Sequence, residues 1–230
     1  MKRATEWLRE ALGCECRDSA LLEAALTHRS AAGLNNERLE FLGDAVLNCV
    51  VAMLLYREFG AADEGELSRF RASLVSGESL ATIAAEIGLG EQLRLGSGEL
   101  KSGGHRRKSI LADALEALFG AIYLDGGFEA AAGAIERVFS GRLGTLPTAA
   151  ELKDPKTRLQ EALQARGYGL PVYTVEAITG EPHQQTFHVS CRVEALDLVE
   201  TATGSSRRRA EQSAAEATLE LTRRLWDNAP

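Results

Sequence analysis

Acidic residues at helical spacing occur in two separate segments of the sequence. Glu37, Glu40 and Asp44 lie three and four residues apart, so at about 100° per residue they fall within roughly 60° of one another on one face of a helix. The opposite face of that helix carries leucine and valine. Asp113 and Glu116 repeat the three-residue spacing inside an otherwise apolar segment. The pattern predicts two groups of carboxylates beside a hydrophobic core.

Carboxylates in apolar surroundings repel one another and lose solvation unless a positive charge neutralises them. A hard divalent cation supplies that charge, and oxygen donors without a histidine or cysteine cluster favour Mg²⁺, with Mn²⁺ able to substitute, over Zn²⁺. Magnesium keeps coordination positions for water and phosphate oxygens, so it can generate a nucleophile and stabilise a leaving oxygen. The chemistry that fits is hydrolysis of a phosphodiester bond.

These acids have two other interpretations. Charged residues at helical spacing often form a solvated face or pair with a neighbour such as Arg38, which is the simpler interpretation of Glu37 alone. A di-iron carboxylate bundle requires a Glu-x-x-His motif on two helices, and the sequence contains no such motif. Because both acidic groups are opposed by apolar faces, metal binding is favoured.

The composition is that of a globular protein without a membrane anchor. The 230 residues carry a net charge of −7, so any contact with nucleic acid must come from local basic patches. The apolar stretch 46–55 is shorter than the ~20 residues that span a bilayer, and the N-terminus lacks the apolar core of a signal peptide. The four cysteines are scattered, which favours reduced thiols. We therefore expect a cytoplasmic protein that does not bind membranes.

Helical periodicity dominates residues 1–147 and predicts an all-α domain. The predicted helices cover 37–59, 63–87, 109–124 and 129–142. The glycine-rich segment 96–108 predicts a mobile loop. Both acidic groups therefore fall on helices.

A second domain is predicted at 154–226, after a linker at 148–153 where the composition changes. Pro155 suits the first turn of a helix, and the segments that follow alternate like strands before a closing helix. The predicted elements are helix 155–166, strands 171–176, 185–193 and 196–203, and helix 205–226. This α-β-β-β-α order describes a small α+β domain whose sheet is covered on one face by two helices.

Four segments of the sequence resemble the signature of the ribonuclease III family. They are 27–30, 36–44, 63–65 and 113–117, and the second of them reads Asn-Glu-Arg-Leu-Glu-Phe-Leu-Gly-Asp. The resemblance covers essentially the whole chain, in the two-domain bacterial form. It implies an endoribonuclease that cuts double-stranded RNA with the help of Mg²⁺.

The resemblance also implies roles for individual acids. The implied metal ligands are Glu40, Asp44, Asp113 and Glu116. By the same resemblance, Asp44 and Glu116 would be the least replaceable catalytic residues. Glu37 and Glu64 would support catalysis by placing RNA or holding a second metal.

Phe41 lies about 40° from Glu37 on the same helical wheel, so it projects near the acidic face. Packing within its own subunit is the common outcome for such a side chain. The resemblance implies instead that Phe41 inserts into a pocket of a second subunit, and that the homodimer forms one RNA valley with two active sites. The implied products are 5′-phosphate and 3′-hydroxyl ends with short 3′ overhangs, made from structured rRNA and mRNA precursors.

Residues 154–226 resemble a double-stranded-RNA-binding domain, in which three regions contact the duplex. The first helix and the loop 180–184 meet successive minor grooves, and the start of the last helix meets the phosphates between them. The implied contact residues are Thr157, Gln160, Glu161, His183, Ser206, Arg207, Arg208 and Arg209. Glu211 departs from the family pattern, which has a basic residue at that position.

A second function is a non-catalytic double-stranded-RNA-binding protein that keeps the same fold and only shields or presents RNA. The complete set of carboxylates favours the enzyme, since a binding protein has no need of buried acids without counter-charges. The expected partners are double-stranded RNA and a second copy of the chain.

Overall fold

The computed structural model describes residues 2–148 and 151–227. The chain divides into two compact units, Met1–Ala149 and Ala150–Pro230. The division falls inside the segment 148–153, which we retain as the proposed linker.

The first unit is built from α-helices, as the periodicity predicts. Its helices are α1 (Lys2–Leu12), α2 (Ser19–Ala25), α3 (Glu37–Glu58), α4 (Glu64–Leu74), α5 (Gly77–Glu86), α6 (Ser97–Lys101) and α7 (Lys108–Leu143). The long helices α3 and α7 pack against each other at its centre. The all-α prediction for this part of the chain is confirmed.

Helix α3 forms the buried centre of this unit. Leu47, Val51 and Leu55 are at most 1% exposed. Helix α3 extends well beyond the apolar stretch 46–55, and among the described residues it is the one helix long and apolar enough to cross a membrane by length and composition. Its burial against α7 is what the core helix of a folded domain shows.

The prediction of a single helix over 63–87 is wrong, because the chain breaks it between α4 and α5. Ser76 is the N-cap of α5, and its side chain accepts a hydrogen bond from the backbone N–H of Ser79 at 3.3 Å. A serine that bonds the backbone in this way competes with a continuous helix. Apolar periodicity runs across the break and therefore does not reveal it.

Segment 96–108 is more regular than the predicted loop, since it contains α6 and a 3₁₀ turn at Gly104–Arg106. The next helix, α7, spans both of the helices predicted at 109–124 and 129–142. Gly127 interrupts α7 with φ 78° and ψ −174°, a conformation that glycine adopts far more readily than other residues. The boundary predicted between the two helices is thus a kink at one glycine.

The second unit has the predicted α-β-β-β-α order. Its elements are α8 (Pro155–Gln164), β1 (Val172–Thr179), β2 (Thr186–Val193), β3 (Leu198–Gly204) and α9 (Arg207–Asp227). The strands form an antiparallel sheet in the order β1-β2-β3. Leu159 and Leu163 of α8, Val189 of β2 and Leu219 of α9 belong to one buried core. The two helices therefore cover one face of the sheet.

Candidate active site and RNA-binding surfaces

Two glycines bring the backbones of α3 and α7 into direct contact beside the acidic residues. A Cβ atom on Gly43 would overlap the carbonyl oxygen of Glu116, and a Cβ atom on Gly120 would overlap the carbonyl oxygen of Leu39. A larger residue at either position would force the helices apart. This close contact is what brings the acids of α3 next to those of α7.

Three of the four predicted metal ligands form a tight cluster. Glu40 on α3 and Asp113 and Glu116 on α7 each place a carboxylate oxygen within 4.8 Å of the others. All three residues are partly buried. An all-oxygen donor set of this kind fits a hard divalent cation.

The cluster is short of positive charge. Burial, together with the charges of Asp44, Glu40 and Asp113, raises the pKa of Glu116 to about 7. Burial and then the charge of Asp113 raise the pKa of Glu40. A divalent cation would reverse these shifts, because it favours the ionised form of each acid. The cluster is therefore electrostatically suited to binding one.

Asp44 lies one turn further along α3 than Glu40 and is exposed. Its Oδ1 accepts a hydrogen bond from Nδ2 of Asn48 at 2.8 Å, and the same nitrogen donates to the carbonyl oxygen of Asp44 at 2.9 Å. Asn48 thus holds the Asp44 carboxylate. It is absent from the residues predicted from the sequence, although a polar residue four positions after Asp44 in an apolar stretch is the signal that points to it.

A polar cleft of about 750 Å³ opens beside the cluster. Arg29 lines it, and its guanidinium lies 3.4 Å from the carboxylate of Glu37. Burial raises the pKa of Asp113, while the charges of His28 and Arg29 oppose that rise. The cleft therefore combines acids, which could hold a metal ion, with a cation of the kind that pairs with phosphate. Arg29 was also missed as a site residue, although it lies in a segment that carries the family resemblance.

The two acids predicted for supporting roles lie outside the cluster. Glu37 occupies the first turn of α3 and lines the cleft. Glu64 is exposed at the start of α4, where its carboxylate accepts a hydrogen bond from Oγ of Ser68 at 2.8 Å. The structure brings Glu37 to the edge of the site and leaves Glu64 apart from it.

Phe41 projects away from the core and is 82% exposed. It lies in an apolar groove with Leu21, Leu34 and Leu124, of which Leu34 is also 82% exposed. Phe41 therefore does not pack inside its own subunit. An exposed apolar patch of this kind is typical of a protein–protein interface.

The residues predicted to contact RNA from α8 and from the β1–β2 connection are exposed to solvent. Thr157, Gln160 and Glu161 are exposed on α8, and His183 is exposed in the connection between β1 and β2. Glu161 also accepts hydrogen bonds from Nζ of Lys153 at 2.7 and 2.8 Å.

The predicted basic group opens α9. The Oγ of Ser206 accepts a hydrogen bond from the backbone N–H of Arg209 at 3.3 Å, in the manner of an N-cap. Arg207, Arg208 and Arg209 are all exposed. The Nε of Arg207 donates to Oε1 of Glu211 at 2.8 Å. The acid that departs from the family pattern therefore contacts the basic group directly.

These two units together define a class of protein. The helical unit holds a carboxylate cluster beside a cleft, an arrangement suited to metal-assisted phosphodiester hydrolysis. The other unit has the architecture of a double-stranded-RNA-binding domain. A metal-dependent nuclease that acts on double-stranded RNA combines both features.

Known proteins resemble both units. A family model described as ribonuclease-III-like matches residues 18–143, and one described as a double-stranded RNA binding motif matches 155–221. A protein named Ribonuclease 3 from Hahella chejuensis is 56% identical over 219 residues, which are 95% of this chain and 97% of that protein. A second Ribonuclease 3, from Alkalilimnicola ehrlichii, is 56% identical over 96% of this chain and 95% of its own.

A solved structure also resembles the helical unit. It is the nuclease domain of ribonuclease III from Campylobacter jejuni, which is described as having structural flexibility in a region involved in dimer formation. It aligns with a TM-score of 0.58 at 45% identity and covers 60% of this chain and 98% of its own.

The chain belongs to the ribonuclease III family. It is an endoribonuclease that acts on double-stranded RNA, so the enzyme is confirmed over the non-catalytic binding protein. The family is metal-dependent, and the cluster of Glu40, Asp113 and Glu116 could hold the ion.

Proposed function

We propose that this chain binds Mg²⁺ through four carboxylates and uses it to hydrolyse duplex RNA. The proposed ligands are Glu40, Asp44, Asp113 and Glu116. The observation that carries the proposal is the convergence of three of these acids within 4.8 Å, together with the raised pKa of Glu116. An all-carboxylate donor set favours Mg²⁺, or Mn²⁺ in its place, over Zn²⁺. When bound, the ion supplies Lewis acidity and lowers the pKa of a bound water.

The side chains around the cluster orient the ligands and the RNA. Asn48 holds the carboxylate of Asp44 through its 2.8 Å hydrogen bond. Arg29 pairs with a phosphate of the strand in the cleft, and Glu37, which lies 3.4 Å from it, fixes its position. Glu64 places RNA or holds a second metal at the exposed start of α4, away from the cluster.

The second unit binds the RNA duplex by recognising the shape of the RNA helix rather than its base sequence. Thr157, Gln160 and Glu161 on α8 meet 2′-hydroxyls in one minor groove, and His183 enters the next. Ser206 and the three arginines after it, Arg207, Arg208 and Arg209, meet the phosphates between the two grooves. All of these side chains except the half-buried Ser206 are exposed, which supports the proposal.

A homodimer formed through Phe41 would place two active sites along one duplex. The apolar groove around Phe41 supports this assembly, as does the dimer formation described for the Campylobacter jejuni domain. If each site cuts one strand, the products have 5′-phosphate and 3′-hydroxyl ends with short 3′ overhangs. We further propose that the protein works in the cytoplasm on structured rRNA and mRNA precursors.

Phe41→Ala tests the assembly. Loss of a central aromatic anchor typically costs about 2 kcal/mol, so we expect the dimer dissociation constant to rise about thirtyfold. Sedimentation velocity over a dilution series measures it. Leu100→Ala is the matched control, because Leu100 is 57% exposed but lies outside the groove. An unchanged profile for Phe41→Ala would remove Phe41 from the interface.

The central test is cleavage of a long labelled RNA duplex by the purified full chain. We expect cutting with Mg²⁺ or Mn²⁺, none with a chelator, and none of a single-stranded control. End analysis of the fragments should give 5′-phosphates. Binding of the duplex without cutting in either metal would contradict the proposal.

A further inference from the structure

Glu211 is a buried carboxylate that two cations from different helices share. Its Oε2 accepts a hydrogen bond from Nζ of Lys156 on α8 at 2.6 Å, and its Oε1 accepts one from Nε of Arg207 on α9 at 2.8 Å. Only 11% of the Glu211 side chain is exposed. The hydrogen bond from Lys156 is the main reason that the pKa of Glu211 lies below its usual range.

The hydrogen bond to Glu211 leaves the two Nη groups of Arg207 able to bind another anion. Glu211 accepts from Nε, which leaves the two Nη groups free of that carboxylate, and 66% of the Arg207 side chain is exposed. A carboxylate on Nε fixes the guanidinium plane, so the Nη groups are held in a set direction. Lysine carries the same charge on a single nitrogen and presents no such fixed plane.

The same carboxylate joins the start of α8 to the start of α9. Beside it, Oδ2 of Asp154 accepts a hydrogen bond from Nε2 of Gln212 at 2.6 Å, and Oδ1 of Asp154 accepts one from the backbone N–H of Lys156 at 3.0 Å. The Nζ of Lys156 also lies 4.4 Å from the centre of the Tyr173 ring. These contacts fix the spacing between the two helices that carry the proposed RNA contacts.

We propose that Glu211 is a positioning residue for RNA recognition. It holds Arg207 in the orientation that binds phosphate and sets the distance of that arginine from the RNA-facing side of α8. An unpaired acid at this place would repel phosphates, but Lys156 and Arg207 together outweigh its charge. The inference rests on the proposed RNA-contacting surfaces and extends them to a residue that itself touches no RNA.

Arg207→Lys tests the inference, because it keeps the charge and removes the guanidinium plane. Duplex binding by the full chain, measured in a chelator to prevent cutting, is expected to weaken about fivefold, the effect of roughly one ordinary hydrogen bond. Arg223→Lys, the same exchange at an exposed arginine near the other end of α9 and outside the proposed contacts, is expected to stay within about twofold. In cleavage assays with Mg²⁺ the loss should raise KM and leave kcat nearly unchanged.

Glu211→Gln supplies the second arm of the experiment. With the orienting charge removed, adding Arg207→Lys should cost little further affinity, so the two changes are expected to be non-additive. Glu216→Gln is the matched control, since it breaks another ion pair between α8 and α9, from Arg158 to Glu216 at 3.2 Å. This control should leave RNA affinity unchanged, and thermal unfolding checks that every variant is folded.

Each outcome bears on one proposal. If Arg207→Lys binds as tightly as the unaltered chain, charge alone matters and the positioning role is wrong. Additive losses for Arg207→Lys and Glu211→Gln would also overturn it, because the two groups would then act independently. If the unaltered chain does not bind the duplex, the proposed RNA-contacting surfaces are wrong, and the positioning role of Glu211 falls with them.

Discussion

A partly buried acid of the helical unit, Glu116, and a buried acid of the second unit, Glu211, have opposite electrostatic surroundings. In the helical unit, burial and neighbouring carboxylates raise the pKa of Glu116 to about 7. In the second unit, Lys156 and Arg207 outweigh burial and hold the pKa of Glu211 below its usual range. Both acids are helical residues packed against a second helix. Folding supplies Glu211 with two cations and leaves Glu116 among other acids.

This difference distinguishes the acid proposed to bind a metal from the acid proposed to position an arginine. An acid kept without a counter-charge lowers the stability of the fold when it ionises, and such acids persist mainly where a ligand later supplies the charge. An acid with two hydrogen-bonded cations instead helps to fix the fold. The same residue type is therefore a metal-ligand candidate in one unit and a positioning candidate in the other.

Neutralising Glu116 should have the largest effect. Glu116→Gln keeps the size of the side chain and removes one proposed ligand, so duplex cleavage is expected to fall at least about a thousandfold, which corresponds to several kcal/mol of lost charge stabilisation. Duplex binding in a chelator is expected to stay within about twofold, because phosphate and groove contacts carry it. Single-turnover cleavage rates and gel shifts measure the two quantities.

Glu129→Gln is the control for that prediction. Glu129 is an exposed acid on the same helix, α7, and lies outside the cluster. Its cleavage rate should match that of the unaltered chain. If Glu116→Gln lost binding and cleavage equally, the assignment of Glu116 as a metal ligand would be contradicted.

The architecture could largely be predicted because local patterns determine it. Continuous apolar periodicity marks α3, and alternation marks the strands of the second unit. The break at Ser76 could not be predicted from periodicity, since it depends on a side chain that bonds to the next turn of backbone. The order of the main elements could thus be predicted from the sequence, whereas the break between α4 and α5 and the short helix α6 could not.

The site could be predicted only in part. Spacing places Glu40 and Asp44 on one face of a helix, but it does not give the distance between α3 and α7. That distance depends on Gly43, where the absence of a side chain allows the two backbones to touch. Arg29 and Asn48 become recognisable as site residues only when the folded chain shows which groups they contact.

Gly43→Ala tests whether the contact between the helices, and not only the set of acids, makes the site. The added methyl group overlaps the carbonyl oxygen of Glu116, and such overpacking typically costs about 1–3 kcal/mol of stability. We expect a lower unfolding temperature and weaker Mn²⁺ binding by electron paramagnetic resonance, with every carboxylate retained. Gly133→Ala is the control, because its Cβ meets nothing within 4 Å among the described residues. Equal behaviour of the two variants would show that the close contact is dispensable.

The smallest expected effect is a pH dependence of the metal-free protein. Glu116 has its pKa raised from 4.5 to about 7 in the folded chain, so between these values the folded state binds more protons than the unfolded state. Its contribution to stability therefore falls as the pH rises through this window. In a chelator at pH 8, the unfolding temperature of Glu116→Gln should exceed that of the unaltered chain by about 2–4 °C, which corresponds to roughly 1 kcal/mol of unfolding free energy. This difference should disappear towards pH 5. Calorimetric scans at several pH values measure the difference. If the difference in unfolding temperature were the same at every pH, ionisation of Glu116 would not destabilise the fold. The contrast with Glu211 would then lose its electrostatic basis.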